Sequence, residues 1–588
     1  MIFNLYKKSK KRSTKYNVHS RNLYPPRVID MNAKFNILHS YGWEESAFPT
    51  EWVDDFNSSL QGITVMSKQV KKILIDNGVD LPIKVTGLGL DHIRDIESTS
   101  DLNIKAKKFK ILHISSCFPR KGIDCLLESY FESFTSNDDV ILIIKTFNNP
   151  HNNIEKILEY LINKKPNPPE VRIIYDDLSP SEMKSLYLSS NALVAPSCGE
   201  GFNLTVAEAM TLGIPVITTG WGGQLDFCNN NNSFLIDFTF EYSNTHLGLY
   251  SSVWARPSSC HLVQLMRKIY HLSNESRLSM VKAAKDSIRK YSWKYVAEKN
   301  VEFVNNFCKT STKNRTKIGW ISTWNTRCGI ATYSEHLLSE IKEDYIIFAP
   351  NNNDTSEEKV IRCWNLGDDN LQSLFNEIIS NNITSIVVQF NYGFFNFKFF
   401  ANFIKKIYSK NIKIIIFLHS TIDPKPDESK ILSTIKDVLY LSHRILVHTP
   451  SDLNRLKDIG LVKNVSLFPH GVLDFDVQRT QYQYPKYSKN VIHFSTYGFC
   501  LPNKGFPELI RAIDLLRKED FKCRLSLYTA LYDSNTSLLF YQEIVDLIEN
   551  LKMNKYVKIN TTFMSDKETI KKLSKTDLVV FPYQLTNE

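Results

Sequence analysis

The chain has 588 residues, more than a single hydrophobic core can hold, so roughly three to five domains are expected. Its 72 Lys and Arg residues against 62 Asp and Glu give a formal net charge of +10, a mild excess that fits an anionic ligand or membrane surface and does not single out nucleic acid. The longest apolar runs are far too short to span a bilayer, and the ten cysteines form no CxxC pair, which is typical of free thiols in a reducing cytoplasm.

The chain begins with a strongly basic segment. Its first 27 residues contain eight Lys and Arg residues and no acid. We expect either a solvated chain end or a patch that binds a negatively charged membrane surface. The basic residues are Lys7, Lys8, Lys10, Lys11, Arg12, Lys15, Arg21 and Arg27.

Short apolar segments then alternate with amphipathic helical segments along the chain. The runs 140–144 and 414–418 are almost purely apolar, as expected for strands that are buried on both faces of a parallel sheet. This alternation is typical of α/β domains. We therefore predict an α/β fold with Rossmann-like domains and parallel sheets.

The sequence also repeats itself with an offset of about 380 to 388 residues. Five short segments recur in the same order, each at the end of a predicted strand, and this predicts two modules in tandem. Glu200 then corresponds to Glu588. The matching segments are 37–40 with 417–420, 64–67 with 447–451, 89–91 with 471–473, 119–122 with 502–505, and 192–196 with 578–582.

We expect both modules to be truncated in this sequence. Module 2 has about 100 residues between its first predicted strand and His419, whereas module 1 has only 38 residues before His39. The predicted domains are a partial N-terminal domain of module 1 at 1–100, its C-terminal domain at 101–310, the N-terminal domain of module 2 at 311–485, and its partial C-terminal domain at 486–588.

The most informative segment spans residues 191–220. It predicts a buried strand at 192–196, a loop, and a helix that begins near Asn203, whose side chain could cap the first amides. Gly213 is well placed for the left-handed residue that ends the helix. Ligands of open α/β sheets bind at the carboxyl ends of strands, and a helix N-terminus there suits a phosphate group.

Two acids in this segment, Glu200 and Glu208, are separated by seven residues. The first lies in the loop and the second about one and a half turns into the helix, so we expect them to contact different parts of one elongated ligand. Carboxylates accept hydrogen bonds from vicinal hydroxyls, which both a sugar and a ribose carry.

This segment resembles the E-x7-E motif of retaining glycosyltransferase family four, which has the GT-B fold. The resemblance implies that Glu200 binds hydroxyls of the donor sugar and that Glu208 binds the ribose. It also implies that the backbone amides of Gly201, Phe202 and Asn203 approach the sugar and the diphosphate.

Further residues match the family upstream of this motif. Lys121 and Gly122 begin a predicted helix after a strand, where an ammonium group can neutralise a diphosphate. The family usually has an Arg a few residues earlier, but Ser116 appears at that position, which leaves open whether the neighbouring Arg120 supplies the second charge. By resemblance, His39 touches the donor sugar or its phosphate. The segment 41–52 resembles the N-terminal, acceptor-side domain, and 291–307 resembles the C-terminal helix that crosses back to it.

Module 2 shows parts of the same pattern. Gly329 lies in a loop between a strand and a helix, where it could let the backbone approach the diphosphate or the acceptor. His419, Lys504 and Glu588 correspond to the module 1 residues at 39, 121 and 200. One further hypothesis is that the C-terminal half of module 1 and the N-terminal half of module 2 face each other as a composite cleft.

The resemblance implies retaining transfer of a hexose from a UDP- or GDP-sugar to a saccharide or lipid-linked acceptor, in polysaccharide biosynthesis. It implies no metal and no cofactor besides the nucleotide-sugar donor, with the leaving phosphate accepting the proton. A cytoplasmic protein is expected, with peripheral association at the inner face of a membrane as an option and no nucleic-acid partner. The alternatives are a non-catalytic nucleotide-sugar-binding protein or inactive fragment, a glycosidase that uses both acids, and a sugar-nucleotide epimerase.

Overall fold

The computed structural model describes residues 17–99, 108–244, 247–307, 316–351, 357–368, 370–424, 428–472, 491–532 and 535–583. It forms two compact units, Met1–Pro469 and His470–Glu588. The three predicted domain boundaries all fall outside the described residues and stay predictions. Four sheets of parallel strands, called the first to the fourth sheet in chain order, confirm the α/β fold class.

The first sheet has four parallel strands in chain order. Leu38 and Ile63 on its strands and Phe56 on a covering helix are completely buried, and they form the centre of its core. The strands are Val18–Arg21, Phe35–Tyr41, Gly62–Val65 and Ile83–Val85, and the helices are Thr50–Ser59, Lys68–Asp76 and Asp91–Arg94.

The basic N-terminal segment is described only in part. Lys7, Lys8, Lys10, Lys11, Arg12 and Lys15 lie outside the described residues. Arg21 forms an ion pair with Asp30, with 2.6 Å between Nη1 and Oδ1, and Arg27 lies 3.7 Å from the same carboxylate.

The second sheet has six parallel strands, and its first strand in sequence, Phe109–Ile114, lies between Ala192–Ala195 and Val140–Lys145. After the strands Phe109–Ile114 and Ala192–Ala195, the chain continues toward opposite sides of the sheet, so a crevice opens between the loops that follow these two strands. The other strands are Glu170–Ile174, Val216–Thr219 and Phe234–Ile236; the helices are Ile123–Ser133, Ile154–Lys164, Pro180–Leu188, Leu204–Leu212, Ser259–Tyr270, Asn274–Ile288 and Trp293–Phe307.

The helix Trp293–Phe307 crosses back to the first sheet, as predicted. The Thr64 hydroxyl donates to Asn300 Oδ1 over 2.6 Å, and a Cβ on Gly62 would lie 2.6 Å from the ring of Phe303. This helix therefore packs directly against the first sheet. It holds together the two lobes of module 1: the first lobe is the first sheet with its helices, and the second lobe is the second sheet with its helices.

The third sheet has seven parallel strands, with Lys317–Ile321 third from one edge, next to the central strand Ser385–Phe390. The predicted strand at 414–418 is confirmed as Lys413–Leu418. The remaining strands are Asp344–Pro350, Val360–Trp364, Arg444–Val447 and Val465–Leu467; the helices are Gly329–Glu340, Gln372–Ser380, Phe397–Ser409, Lys436–Tyr440 and Pro450–Asp458.

An antiparallel hairpin, Phe238–Tyr242 with Val253–Pro257, connects module 1 to the third sheet. Its apolar residue Phe240 belongs to the same hydrophobic core as the strands of that sheet. Asn454 pairs with the backbone of this residue: its Nδ2 donates to the carbonyl over 2.9 Å, and its Oδ1 accepts from the amide over 2.7 Å. The third sheet and module 1 thus share a continuous core.

The second unit contains the fourth sheet, whose central pair is Ile492–Phe499 with Cys523–Ala530. Its other strands are Val557–Asn560 and Leu578–Val579, and its helices are Phe506–Lys518, Asn535–Asn550 and Asp566–Leu573.

Two further expectations concern the state of the cysteines and the lack of membrane-spanning segments. The nine cysteines within the described ranges are all free thiols, as predicted. Among the helices of those ranges, none is long and apolar enough to cross a membrane.

Candidate active site

A cavity of about 940 Å³ lies where the loops at the carboxyl ends of the first and second sheets face each other. Ligands of open α/β sheets bind at this edge. The volume is at the upper end of the usual range for small-molecule sites, roughly 300–1,000 Å³. The two lobes of module 1 therefore enclose a cleft of the kind that the GT-B fold denotes.

A tight turn brings Arg120 and Lys121 into this cavity. Gly122 follows in a left-handed conformation, with φ of +66°, and the helix Ile123–Ser133 begins there as expected. A Cβ at this glycine would lie 2.1 Å from the carbonyl oxygen of Pro196 in the loop of the next strand. The turn can approach that loop only because the residue has no side chain.

Glu200 is held between two cations. The Lys121 ammonium donates to its Oε1 over 2.5 Å, Arg120 Nη1 lies 3.5 Å from its Oε2, and its side chain is only 8% exposed. Burial by itself raises the pKa of Glu200, but the two neighbouring cations outweigh this effect and lower the pKa below its ordinary value. The carboxylate is therefore ionised at neutral pH.

The residues after Glu200 form a loop that packs against the first lobe. A Cβ on Gly201 would lie 3.0 Å from the carbonyl oxygen of Trp43. The ring of Phe202 is buried against Phe227 and Tyr291, with ring centroids 5.1 and 5.6 Å apart. Because that side chain belongs to the core, only the backbone of this residue is available to a ligand.

The predicted capping role of Asn203 is wrong. Its backbone is left-handed, with φ of +68°, and its side chain makes no capping hydrogen bond to the first amides of the helix Leu204–Leu212. Its Oδ1 instead accepts from the Thr205 hydroxyl over 3.2 Å. Its Nδ2 is buried and has no hydrogen-bond partner in the described part of the chain. The helix does end at Gly213 in the left-handed conformation, with φ of +80°, as predicted.

Glu208 lies further along the same helix and does not line the cavity. The hydroxyl of the fully buried Tyr187 donates to Oε2 over 2.6 Å, and His92 Nε2 lies 2.8 Å from Oε1. Leu204, four residues earlier and on the same helix face, does line the cavity. The second acid therefore lies about one helical turn beyond the residue that lines the cavity, and it is hydrogen-bonded to His92 and Tyr187.

His39 is placed differently from the other predicted residues. Its Nδ1 lies 2.8 Å from the Ser20 hydroxyl on the neighbouring strand, and it does not line the cavity. Tyr41 and Trp43, at the end of the same strand and just beyond it, do line the cavity. The structure thus brings Glu200, Arg120, Lys121 and the backbone of 201–203 together, and leaves the histidine outside this group.

Comparison with known proteins decides the family of this site. Residues 95–243 match the family model described as Glycosyl transferases group 1. They form a group 1 glycosyltransferase domain.

The chain is similar over short lengths to curated glycosyltransferases. It is 33% identical over 140 residues to a sucrose synthase of Melioribacter roseus, covering 21% of this chain and 17% of that one. It is 24% identical over 187 residues to the capsular polysaccharide biosynthesis glycosyltransferase CapM of Staphylococcus aureus, covering 30% and 48%. A glycosyltransferase from Rickettsia africae is 19% identical with a TM-score of 0.40, covering 53% and 80%. The chain thus spans less than half the length of these two curated relatives.

The group 1 glycosyltransferase domain faces the first sheet, so the composite-cleft hypothesis is wrong. Arg120 Nη2 lies 3.1 Å from Glu44 Oε1 in the first lobe, and a Cβ on Gly199 would lie 2.8 Å from the carbonyl oxygen of the same residue. His419 instead lies 2.7 Å from Gln389 and packs edge-on against the ring of Tyr333 on the helix Gly329–Glu340. The helix Trp293–Phe307 and these contacts with Glu44 therefore make the first lobe of module 1, and not module 2, the second wall of the cavity.

The predicted residues of module 2 lie in both units. Gly329 begins the helix Gly329–Glu340, and a Cβ there would meet nothing within 4 Å. His419 is 8% exposed at the end of its strand. Glu588 lies outside the described residues.

The turn at Lys504 repeats the turn of the group 1 glycosyltransferase domain. Gly505 is left-handed, with φ of +65°, and a Cβ there would lie 1.8 Å from the carbonyl oxygen of Pro582. The Lys504 ammonium lies 4.1 Å from the ring centroid of Tyr583. This is the same relation between turn and loop that is found at residues 122 and 196.

Several residues of the site had no role in the sequence-based prediction. Tyr41 and Glu44 lie in the segment 41–52, which the resemblance assigned to the acceptor-side domain without naming a residue. Their position directly after a predicted strand was the available signal. Tyr187 and His92 carry no such signal, because their contact with Glu208 joins residues 21 and 116 positions away.

Proposed function

We propose that module 1 transfers a hexose from a UDP- or GDP-sugar to a hydroxyl of a saccharide or lipid-linked acceptor, with retention of anomeric configuration. The observation that carries this proposal is the grouping of Arg120, Lys121 and the buried Glu200 in one cavity between two lobes. Fixed cations beside a buried carboxylate suit a ligand that joins a diphosphate to a sugar.

In the proposed reaction, the acceptor oxygen forms a bond to the anomeric carbon as the bond from that carbon to the diphosphate oxygen breaks. The bonding electron pair leaves with the diphosphate, and the hydroxyl proton passes to one of its oxygens. Lys121 and Arg120 stabilise the charge that develops on the diphosphate. Glu200 orients the sugar through its hydroxyls, since a carboxylate paired with a cation still has free acceptor positions.

Glu208 is proposed to bind the ribose. Both of its oxygens already accept hydrogen bonds, one from Tyr187 and one from His92. A carboxylate has about four acceptor positions, so two vicinal hydroxyls can be added. We propose that these two partners hold the carboxylate in place for the ribose.

We also propose that the reaction needs no metal ion, because Arg120 and Lys121 supply two positive charges to the diphosphate. Transferase activity should then be unchanged in excess EDTA. Loss of activity in EDTA that is restored by Mg²⁺ or Mn²⁺ would contradict this part of the proposal.

Three wider assignments rest on the family and the repeat. The similarity to CapM supports a role in polysaccharide biosynthesis. The repeated turn at Lys504 supports a tandem origin of the two modules. A cytoplasmic location with peripheral membrane association at the inner face completes the proposal, and fractionation of cells that express the chain tests it.

The central test is a binding screen of UDP-, GDP- and ADP-sugars with the full chain. Glu208→Ala should weaken nucleotide binding by about 1–3 kcal/mol, since it removes hydrogen bonds to a charged group. Glu275→Ala, which removes an exposed acid on the helix Asn274–Ile288, is the matched control and should bind as wild type. Equal binding by both variants would contradict the ribose role.

Turnover separates the transferase from its alternatives. Release of UDP or GDP that depends on an added acceptor supports a transferase. Nucleotide-sugar binding without any release would instead support a non-catalytic binding protein, and hydrolysis of a model glycoside without nucleotide would support a glycosidase.

A further inference from the structure

The two walls of the module 1 cavity differ in charge. The wall from the second sheet carries Arg120 and Lys121. The wall from the first sheet carries Glu44 and Glu45, and none of the described residues that line it is a Lys or Arg. The cations of one wall and the carboxylates of the other meet where Arg120 pairs with Glu44.

The first-sheet wall also presents aromatic residues and a buried hydroxyl that lacks a partner. Tyr41 packs edge-on against Phe48 and Phe56, is 3% exposed and lines the cavity. Within the described residues, its hydroxyl has no hydrogen-bond partner. Buried polar groups in folded proteins are almost always paired, so this hydroxyl indicates a ligand group that completes it.

A second unpaired group lies on the opposite wall. Asn203 Nδ2 is a donor in a side chain that is 5% exposed, and it too lacks a partner among the described residues. Both of these groups belong to residues that line the same cavity. They fit a ligand rich in hydroxyl groups, which can both donate and accept hydrogen bonds.

Glu44 connects the first-sheet wall to the donor side. Its carboxylate lies 3.1 Å from Arg120, and the same guanidinium lies 3.5 Å from Glu200. The Glu44 side chain is 35% exposed, so it has room to accept a further hydrogen bond. A sugar hydroxyl bound to it would lie beside the sugar that Glu200 is proposed to hold.

We propose that Tyr41 and Glu44 bind the acceptor, and that they select an uncharged saccharide over a phosphorylated or carboxylated one. This inference rests on the proposed transferase function. An anionic acceptor would place its charge beside two carboxylates on a wall where none of the described lining residues is a Lys or Arg, whereas hydroxyls pair with both Tyr41 and Glu44.

Ligand-observed saturation-transfer NMR on the full chain tests this. The protein is saturated with UDP or GDP, whichever binds, and a panel of neutral disaccharides is compared with their 6-phosphates. Neutral disaccharides should bind about tenfold more tightly than their phosphates, a difference of about 1.4 kcal/mol. Tyr41→Phe should weaken the neutral sugars about tenfold with unchanged nucleotide affinity, and Glu44→Gln should narrow the preference over the phosphates.

Tyr160→Phe, at an exposed position on the helix Ile154–Lys164, is the control and should bind saccharides as wild type. The inference is overturned if the phosphates bind more tightly, if both cavity variants bind saccharides as wild type, or if nucleotide-loaded protein binds no neutral sugar. Failure to bind any nucleotide is a separate result, which refutes the proposed function itself.

Discussion

Replacing Tyr187 with Phe removes one hydroxyl on which the geometry of the site depends. Tyr187 is fully buried, and its hydroxyl donates to Glu208 Oε2 over 2.6 Å. A hydrogen bond to a charged group contributes about 1.5–3 kcal/mol to stability. The Glu208 side chain is 12% exposed and keeps its contact with His92, so water can replace part of the loss. We therefore expect the free energy of unfolding to fall by about 1–2 kcal/mol.

The assay is urea denaturation followed by tryptophan fluorescence, which reports the first unit because all eight tryptophans precede residue 470. Nucleotide affinity is measured by calorimetry on the same samples. Because Glu208 loses one of the two partners that orient it, we expect affinity to fall about three- to tenfold, or roughly 0.7–1.4 kcal/mol.

Tyr41→Phe is the matched control, since it also deletes a buried hydroxyl. That hydroxyl has no hydrogen-bond partner in the described residues, and an unpaired buried group costs about 1–3 kcal/mol. The variant should therefore unfold at the wild-type urea midpoint or above it. Two results would refute the reasoning: Tyr187→Phe with unchanged midpoint and affinity, or Tyr41→Phe as the more destabilised of the two.

Three other predictions concern stability in the same assay. Gly122→Ala should destabilise the first unit by more than about 2 kcal/mol, because the new side chain combines a left-handed backbone with a Cβ 2.1 Å from a carbonyl oxygen. Gly329→Ala is the control and should leave stability unchanged, because a Cβ there has no atom within 4 Å. Equal effects of the two substitutions would contradict this prediction. Asn454→Ala removes both hydrogen bonds to the hairpin backbone and should cost about 1–3 kcal/mol, and an unchanged midpoint would mean that the shared core alone holds the hairpin. The hydrogen bond to Glu208 raises the pKa of His92. The stabilisation that protonated His92 gives the folded state is therefore complete below the ordinary pKa of 6.5 and is lost as pH rises through the raised pKa. His92→Ala should accordingly lower the free energy of unfolding more at pH 5.5 than at pH 9. A difference between wild type and variant that is the same at both pH values would contradict this prediction.

Features that depend on neighbours along the chain were predictable from the sequence. The buried strands at 140–144 and 414–418 were found because apolar runs of that length bounded by polar residues have few alternatives. The left-handed end of the helix at Gly213 follows from the lack of a Cβ. The same local reasoning failed at Asn203, because its backbone is left-handed and its side-chain oxygen accepts from the Thr205 hydroxyl instead of from a helix amide.

The sequence by itself therefore determined the order of strands and helices, the α/β class and the turn that carries Arg120 and Lys121. Only the tertiary structure decided which lobe closes the cavity, that Glu44 and Tyr41 form its second wall, and that His39 turns toward Ser20. The physical reason is the distance along the chain over which the deciding contacts act. Periodicity and turn chemistry act within a few residues, whereas the second wall is selected by packing between segments that are about 80 to 240 residues apart.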